Sequence, residues 1–496
     1  MTKKIFYFTT FIIFNCYYIS AQNETDALKY SETNLFGNAK FISMGGAFGS
    51  LGGDISSSSY NPAGIGLYYY NEFVFSPKLN FNSNTSYFNS SRIENSTAGL
   101  NNSSIGMVLS YSPNNSETSD WKRINIALSL NQLASYDRRL TIEGENNQTS
   151  FADNMLALSQ GSKINNLNSF HTSLAFWTDL IDLADNAIDT TVEPPVYLND
   201  NGNYISHING NSNKNQYKNI ESTGNQNELA FSIASSYNEK IYIGATIGIP
   251  YLNYYENSNY QENNFSDTIN GLEEFGFNEE LSVYGEGINL KLGGLLKINN
   301  QLKLGAAFHS PTFFKIEETY NTNMYTQFEY ENFQEYSPVN YFEYELITPW
   351  KAILSGSTSF NKLILISADY EVVDYTFTKM SSNIYSFQEE NEAVQNNFNR
   401  SINLKIGTEI KLQSLALRCG YAQYESPTKD QELSKKNYSF GLGNNAENFG
   451  GYFFDIAYLL SQSQNNHQLY NNVFINPILV NNTDHYLILT VGFRFQ

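Results

Sequence analysis

From residue 71 onward the chain repeats one pattern: an apolar side chain at every second position, with small or polar residues between. Ile124, Ile126, Leu128 and Leu130 alternate with Asn125, Ala127, Ser129 and Asn131. Ile241, Ile243, Ile247 and Ile249 oppose Tyr242, Gly244, Thr246 and Gly248. Ile288, Leu290, Leu292 and Leu296 oppose Asn289 and Lys291. Side chains along a strand point to its two faces in turn, so this period calls for strands with one apolar and one polar face. About fourteen such segments can be marked. Their connections sort into two kinds. Short turns are expected at 237–240, 297–301, 359–362 and 411–414, and long polar segments at 144–224, 261–280, 329–341, 379–400, 425–437 and 461–484. The two kinds alternate, as they do when turns face one side of a membrane and loops the other. A soluble sandwich has no reason to separate them. The expected fold is all-β: a transmembrane antiparallel barrel over residues 71–496, with an even number of strands.

Composition agrees. Aromatic residues make 15% of the chain, with 37 Tyr and 35 Phe, while charged residues make 16%, against about 25% in soluble proteins. A barrel in lipid needs aromatic girdles and few charges on its outer face. No segment after the leader reaches the ~18 apolar residues of a membrane helix. Residues 1–21 read as a signal peptide: Lys3 and Lys4, an apolar stretch, then Ser20 and Ala21 as a small-residue cleavage site. Its removal takes away two lysines, leaving 27 basic against 49 acidic residues, a net charge of −22. An acidic chain without a basic cluster is not built for nucleic acid. Cys16 leaves with the leader, and the remaining Cys419 has no partner for a disulfide.

The departure from alternation is the head of the mature chain. Residues 22–40 are polar and read as a short periplasmic tail. Residues 41–70, FISMGGAFGSLGGDISSSSYNPAGIGLYYY, carry Gly45, Gly46, Gly49, Gly52 and Gly53 and close with Asn61, Pro62, Ala63 and Gly64. This run is too glycine-rich for a stable helix. It is too apolar for a linker, with Phe41, Met44, Phe48, Leu51, Ile55, Ile65 and Leu67 spread through it. Small residues around single apolar anchors suit a compact plug pressed against other backbone. Pro62 fixes the backbone where the plug meets the wall, and Asn61, held extended by that proline, can bond plug backbone. In the segment 144–224, residues 150–160 and 166–182 show helical spacing of apolar residues, which suits a lid over the mouth.

A leader, a glycine-dense plug with Asn61-Pro62-Ala63, and about fourteen strands resemble the FadL-type outer-membrane transport proteins, the family of fatty-acid and aromatic-hydrocarbon transporters. The stretch 37–68 is particularly like the Bacteroidetes-type branch that carries the label hemin receptor. The resemblance implies passive uptake of hydrophobic, long-chain fatty acid-like molecules. The ligand would bind in a plugged barrel and leave sideways once the hatch, marked by Asn61, Pro62, Ala63 and Gly64, has moved. It further implies outer-membrane lipids, a hydrophobic ligand and the barrel-assembly machinery as partners, and a monomer. Such barrels commonly finish on an aromatic residue, whereas Phe493 and Phe495 are followed by Gln496.

The inner faces also bear on cargo. Val108, Leu363, Leu365 and Phe453 are expected there beside Lys291, Lys303, Lys351, Lys405 and Arg418. Apolar area with a few cations would suit a carboxylate on a long tail; the alternative is that these cations pair across the lumen. His309 is expected on an inner face and would be the axial ligand in a heme-receptor reading. His171, His207 and His467 fall in loops without paired spacing, so no metal site or cofactor is expected. No GxSxG, Walker, HExxH or CxxC motif occurs, and no catalytic residue is assigned. An adhesive surface barrel using its Asn-rich loops is the remaining alternative.

Overall fold

The computed structural model describes residues 24–35, 37–113, 119–184, 188–189, 196–197, 200–208, 212–268, 271–429, 434–444, 451–470 and 477–495. The leader and Gln496 lie outside them. Fourteen antiparallel strands close into a barrel. They are β1 (Asn71–Phe88), β2 (Ser91–Tyr111), β3 (Trp121–Ser135, resuming as Arg138–Asn146), β4 (Lys214–Tyr237), β5 (Ile241–Asn263), β6 (Leu272–Lys297) and β7 (Leu302–His309, resuming as Phe313–Phe328). Then follow β8 (Asn340–Ile347, resuming as Lys351–Phe360), β9 (Ile364–Asp374, resuming as Lys379–Ser381), β10 (Arg400–Leu412), β11 (Leu415–Tyr424), β12 (Lys435–Asn444), β13 (Tyr452–His467) and β14 (Ile478–Phe495). Closure is made by β1 against β14, with Phe75 opposite Val491 and Phe81 opposite His485. On the turn side, Asn238 and Glu239, and again Asn361 and Lys362, have positive φ, as two-residue hairpins require.

The burial pattern is inside out. Ile241, Ile243, Ile247 and Ile249 are exposed, while Tyr242, Thr246 and, on β4, Ser232 and Ser236 are buried. Exposed isoleucines around buried hydroxyls make sense when the outer solvent is hydrocarbon and the lumen is polar. The apolar stripe of β5 spans nine residues from Ile241 and gives way to Tyr251, Asn253 and Tyr255, the length a tilted strand needs to cross. Above that level the strands continue. β6 is 26 residues long, so the long connections expected at 261–280 and 461–484 are shorter than the pattern suggested. Polar outer residues hid this extension, because alternation of small polar groups carries no hydrophobic signal.

Three expectations need correction. Residues 24–35 are not a periplasmic tail. Helix α1 (Glu24–Ser31) stands inside the barrel near the loop side, where Tyr30 and Ala27 are fully buried and Glu24 accepts from Asn397 of an outer loop at 3.4 Å. Its polar sequence conceals two apolar side chains on one face. Leu363 is not on the inner wall; it lies exposed at the turn between β8 and β9. The segment 144–224 is largely strand at both ends, and the excursion proper runs from 147 to 213. Within it stand α4 (Phe151–Ser159) and α5 (Thr172–Trp177).

Candidate functional site

The hatch follows α1 and fills the lumen at the level of the apolar belt. Helix α2 (Ala39–Ser43) is capped by Asn38, whose side chain accepts from the Phe41 N–H at 2.9 Å and donates to Asp54 at 2.8 Å. Helix α3 (Ser57–Tyr60) runs into a 3-10 turn, Pro62–Leu67, with proline where no N–H is needed. Asn61 ties three parts together. Its Oδ1 accepts from the Ala63 N–H at 3.2 Å, and its Nδ2 donates to the Gly49 carbonyl at 2.5 Å and to Gly294 of β6 at 3.3 Å. Gly45, Gly46, Gly52 and Gly53 all have positive φ, which a side chain would strain.

The wall makes room for the hatch with its own glycines, a role the sequence reading did not assign. At Gly244 an added Cβ would meet Pro62, at Gly293 Asn61, at Gly305 Gly49, at Gly407 Met44, at Gly420 Gly45 and at Gly441 Ser43. These are the places where the hatch lies directly against strand backbone. A signal was present: Gly244 sits directly opposite Gly293 and Gly407 opposite Gly420 in the ladders. Paired glycines in mid-strand are hard to justify without a close neighbour.

Polar wall groups then fasten the hatch. Asp369 of β9 accepts the N–H groups of Phe48 and Gly49, each at 2.9 Å. Asn125 donates to the carbonyls of Ile65 and Tyr68 at 2.7 and 3.1 Å, and Thr246 to that of Ser58 at 2.8 Å. The inward cations are engaged here. His309 donates through Nε2 to the Tyr60 carbonyl at 2.8 Å. Lys405 meets Glu371 at 2.9 Å and the Tyr60 hydroxyl at 3.2 Å. Arg418 bridges Glu409, at 2.7 Å, and Asp455, and Lys291 pairs with Glu228. Lys303 donates to the Leu51 carbonyl at 3.2 Å. The structure therefore brings His309, Lys303 and Lys405 together with Asn61 and the hatch glycines as one packed contact. Arg418 closes a charge cluster beside it.

The wall has a seam between β2 and β3. β2 and β3 share a ladder only from Tyr111↔Ile124 to Ser104↔Asn131. Beyond it, among the described residues, no ladder joins them, and the outer half of β3 pairs only with β4. Two irregularities mark the place: β2 bulges at Ser103, opposite Ser76 and Pro77 of β1, and Leu133 is left out between Gln132 and Ala134. Pro77 has no N–H for the ladder. The hatch lead covers the seam from inside. Asn34 donates to the Leu133 carbonyl at 2.7 Å, while Ser103 exchanges bonds with the N–H and carbonyl of Gly37 at 3.1 and 2.6 Å. Farther out, β1 side chains replace the missing ladder: Asn82 donates to the Asp137 carbonyl at 2.9 Å, Asn84 to Arg139 and Ser86 to Thr141 at 2.6 Å.

Above the hatch, α1 packs on an apolar strip of wall that includes Leu252, Val283, Phe314, Ile316, Leu346 and Met380. Over it lies a lid core in which Phe151, Met155, Leu174 and Phe176 pack against Tyr260, Phe275 and Phe277. The lid is pinned by Glu262 of β5, which accepts from the Ser150 hydroxyl at 2.6 Å, the Phe151 N–H at 2.8 Å, Gln216 at 2.9 Å and Tyr260 at 2.5 Å. Burial, then repulsion from Asp182 and Glu331, pushes Asp179 in the lid up to about 6. Burial holds His171 and His207 below the usual imidazole range. Among the described residues no three His, Cys, Asp or Glu side chains converge to hold a metal.

Two comparisons found nothing: neither a protein-family model nor a curated protein sequence matches the chain. Solved structures do match in shape. A Pseudomonas aeruginosa FadL homologue aligns with a TM-score of 0.59 at 12% identity, over 94% of this chain and 100% of the other. The P. putida toluene transporter TodX aligns at 0.51 and 13%, over 93% and 100%. The Ralstonia pickettii toluene transporter TbuX aligns at 0.50 and 13%, over 93% and 100%. By its closed wall of fourteen strands and the likeness to these solved structures, this chain has the fold of the FadL-type outer-membrane channels.

Proposed function

We propose that the protein takes up hydrophobic small molecules passively across the outer membrane of a Gram-negative cell, with no chemical step. The observation that carries this reading is the seam between β2 and β3, opened by two bulged residues and closed from within by the hatch lead at Asn34 and Gly37. A polar solute has no use for a door into hydrocarbon; an apolar one does. Cargo enters under the lid, passes the strip occupied by α1, and leaves between the strands when the lead segment withdraws. That two of the similar structures are toluene transporters supports an apolar cargo. The long-chain carboxylate implied by the family resemblance gains no support from the inward cations. Lys405 and Arg418 are paired to acids, and Lys303 bonds the hatch. A heme reading fares no better, since His309 Nε2 is spent on Tyr60.

The test is a cross-link. Asn34→Cys with Leu133→Cys, in a Cys419→Ser background, places two thiols across the 2.7 Å backbone bond that shuts the seam, within the Cα separation a disulfide spans. In cells producing this variant, uptake of the apolar fluorophore N-phenyl-1-naphthylamine should fall to that of cells without the protein when oxidised, and recover on reduction. Unchanged uptake in the oxidised variant refutes the lateral route.

A further inference from the structure

The strip of wall beneath α1 has a charge that the family resemblance does not lead one to expect. Tyr254 of β5, Val283 of β6 and Glu318 of β7 lie in one row, each opposite the next in the ladders. Tyr136 and Tyr254 meet edge to face with centroids 5.3 Å apart. The Tyr254 hydroxyl is bonded to Glu256, and the Tyr344 hydroxyl donates to Glu318 at 2.7 Å. The floor of this strip is apolar, with Leu252, Ile316 and Leu346 fully buried. The inward lysines of the same wall, Lys291 and Lys351, sit lower. They are in register with His309 and pair with Glu228 and Glu371.

Helix α1 fills this strip with an ammonium and a ring. The Lys29 Nζ stands 4.4 Å from the centroid of the Tyr254 ring and 3.3 Å from its hydroxyl. Tyr30 packs edge-on to Tyr136 and Tyr254, at 6.4 and 6.1 Å, and lies within electrostatic reach of Glu318. Aromatic faces and carboxylates around an ammonium are how proteins hold organic cations. Within α1 the ammonium is paired with Asp26 at 3.1 Å, so the helix carries that counter-charge away with it.

We propose that the strip under α1 is a binding site for apolar molecules carrying a cationic head, such as an arylalkyl ammonium, and that Lys29 and Tyr30 occupy it in the closed state as a built-in stand-in for that ligand. The proposal rests on the uptake reading above and narrows its cargo. When α1 leaves, Lys29 leaves with it. Tyr136, Tyr254, Glu256, Glu318 and Tyr344 then face the lumen as an aromatic and acidic cage over an apolar floor. A carboxylate head placed there meets carboxylates; an alcohol meets acceptors without the charge; an ammonium meets both charge and ring faces.

Three probes of equal shape separate the cases: 4-phenylbutylammonium, 4-phenylbutyrate and 4-phenylbutanol, titrated calorimetrically into the full chain in dodecylmaltoside. Lys29→Ala weakens the stand-in and should bind the ammonium at least tenfold more tightly than either other probe, and more tightly than the unaltered protein does. Adding Glu256→Gln and Glu318→Gln should bring the ammonium to within about threefold of the alcohol, as loss of a charge-assisted contact predicts. Should these variants not fold, the unaltered protein still decides. Saturating phenylbutylammonium should speed amide exchange of residues 24–31, and phenylbutyrate should not. Phenylbutyrate binding as tightly as the ammonium, a preference that survives both glutamine substitutions, or no probe affecting α1 overturns the proposal. The seam cross-link reports on the uptake reading independently, so the two can fail separately.

Discussion

Asp369→Ala should release the front of the hatch without unfolding the barrel. In the closed state one carboxylate oxygen holds the N–H groups of Phe48 and Gly49, both at 2.9 Å, in a buried setting. Hydrogen bonds to a charged acceptor contribute about 1.5–3 kcal/mol each, so truncation removes about 3–6 kcal/mol from hatch docking and strands two buried donors. At 1.4 kcal/mol per factor of ten, the midpoint raises the open fraction by about a thousandfold. The wall itself loses little, because Asp369 keeps its ladder to Ser355 and Lys405 through backbone. Hydrogen exchange followed by mass spectrometry is the assay: amides of residues 44–53 should lose protection by about three orders of magnitude, while strand peptides of β9 and β10 keep theirs. Asp369→Asn, which retains an acceptor but not its charge, should cost about 1 kcal/mol and roughly fivefold in exchange. Protection of residues 48 and 49 that survives Asp369→Ala would show that packing alone seats the hatch, and the reasoning would fall.

Other outcomes follow from the same geometry. Gly420→Ala places a Cβ onto the Gly45 nitrogen and should cost about 1–3 kcal/mol of hatch seating, read as faster exchange at residues 43–46 in a barrel whose heat-modifiable migration on gels is normal. Glu262→Ala removes the acceptor for two lid donors, Ser150 and Phe151, and for Gln216 and Tyr260 of the wall, and should expose the segment 147–213 to limited proteolysis, with Glu262→Gln intermediate. Asp179 is pushed up to about 6, so the native lid favours its protonated form. The associated stability is complete below the ordinary carboxylate range near pH 4 and is lost as pH rises through about 6. Asp179→Asn should therefore protect lid amides at pH 7 by about threefold, a modest figure because the group is half exposed and screened, and should change nothing below pH 4. Asn also tolerates the positive φ at this site.

The barrel was legible because hydrocarbon outside and water inside write a two-residue period directly into the chain. Ile241 to Ile249 needed no structure to be read as a lipid-facing stripe. The hatch was legible for a related reason: the stretch from Gly45 to Gly64 fits neither strand nor helix. What escaped was whatever depends on a neighbour distant in sequence. Pro77 stood in the open as a ladder breaker, yet the bulges at Ser103 and Leu133 show themselves only when β1, β2 and β3 are laid side by side. The inward cations were visible, but their partners Glu228, Glu371 and Asp455 lie 63, 34 and 37 residues away along the chain from Lys291, Lys405 and Arg418. Helix α1 was misread as a tail because an eight-residue segment with two buried apolar side chains, Ala27 and Tyr30, carries too little hydrophobic signal to announce an interior address.

The N–H of Ala39 donates to the Thr490 hydroxyl at 2.8 Å, and that hydroxyl also meets Ser76 at 2.9 Å. One side chain of the fourteenth strand thus touches both the stopper and the first strand. The stopper is made early and this strand late, so the early segment waits unanchored at that point through most of synthesis. Sealing the cylinder and locking its cork become a single event, and a chain that zips up around an empty bore forgoes the contact that would have joined the two.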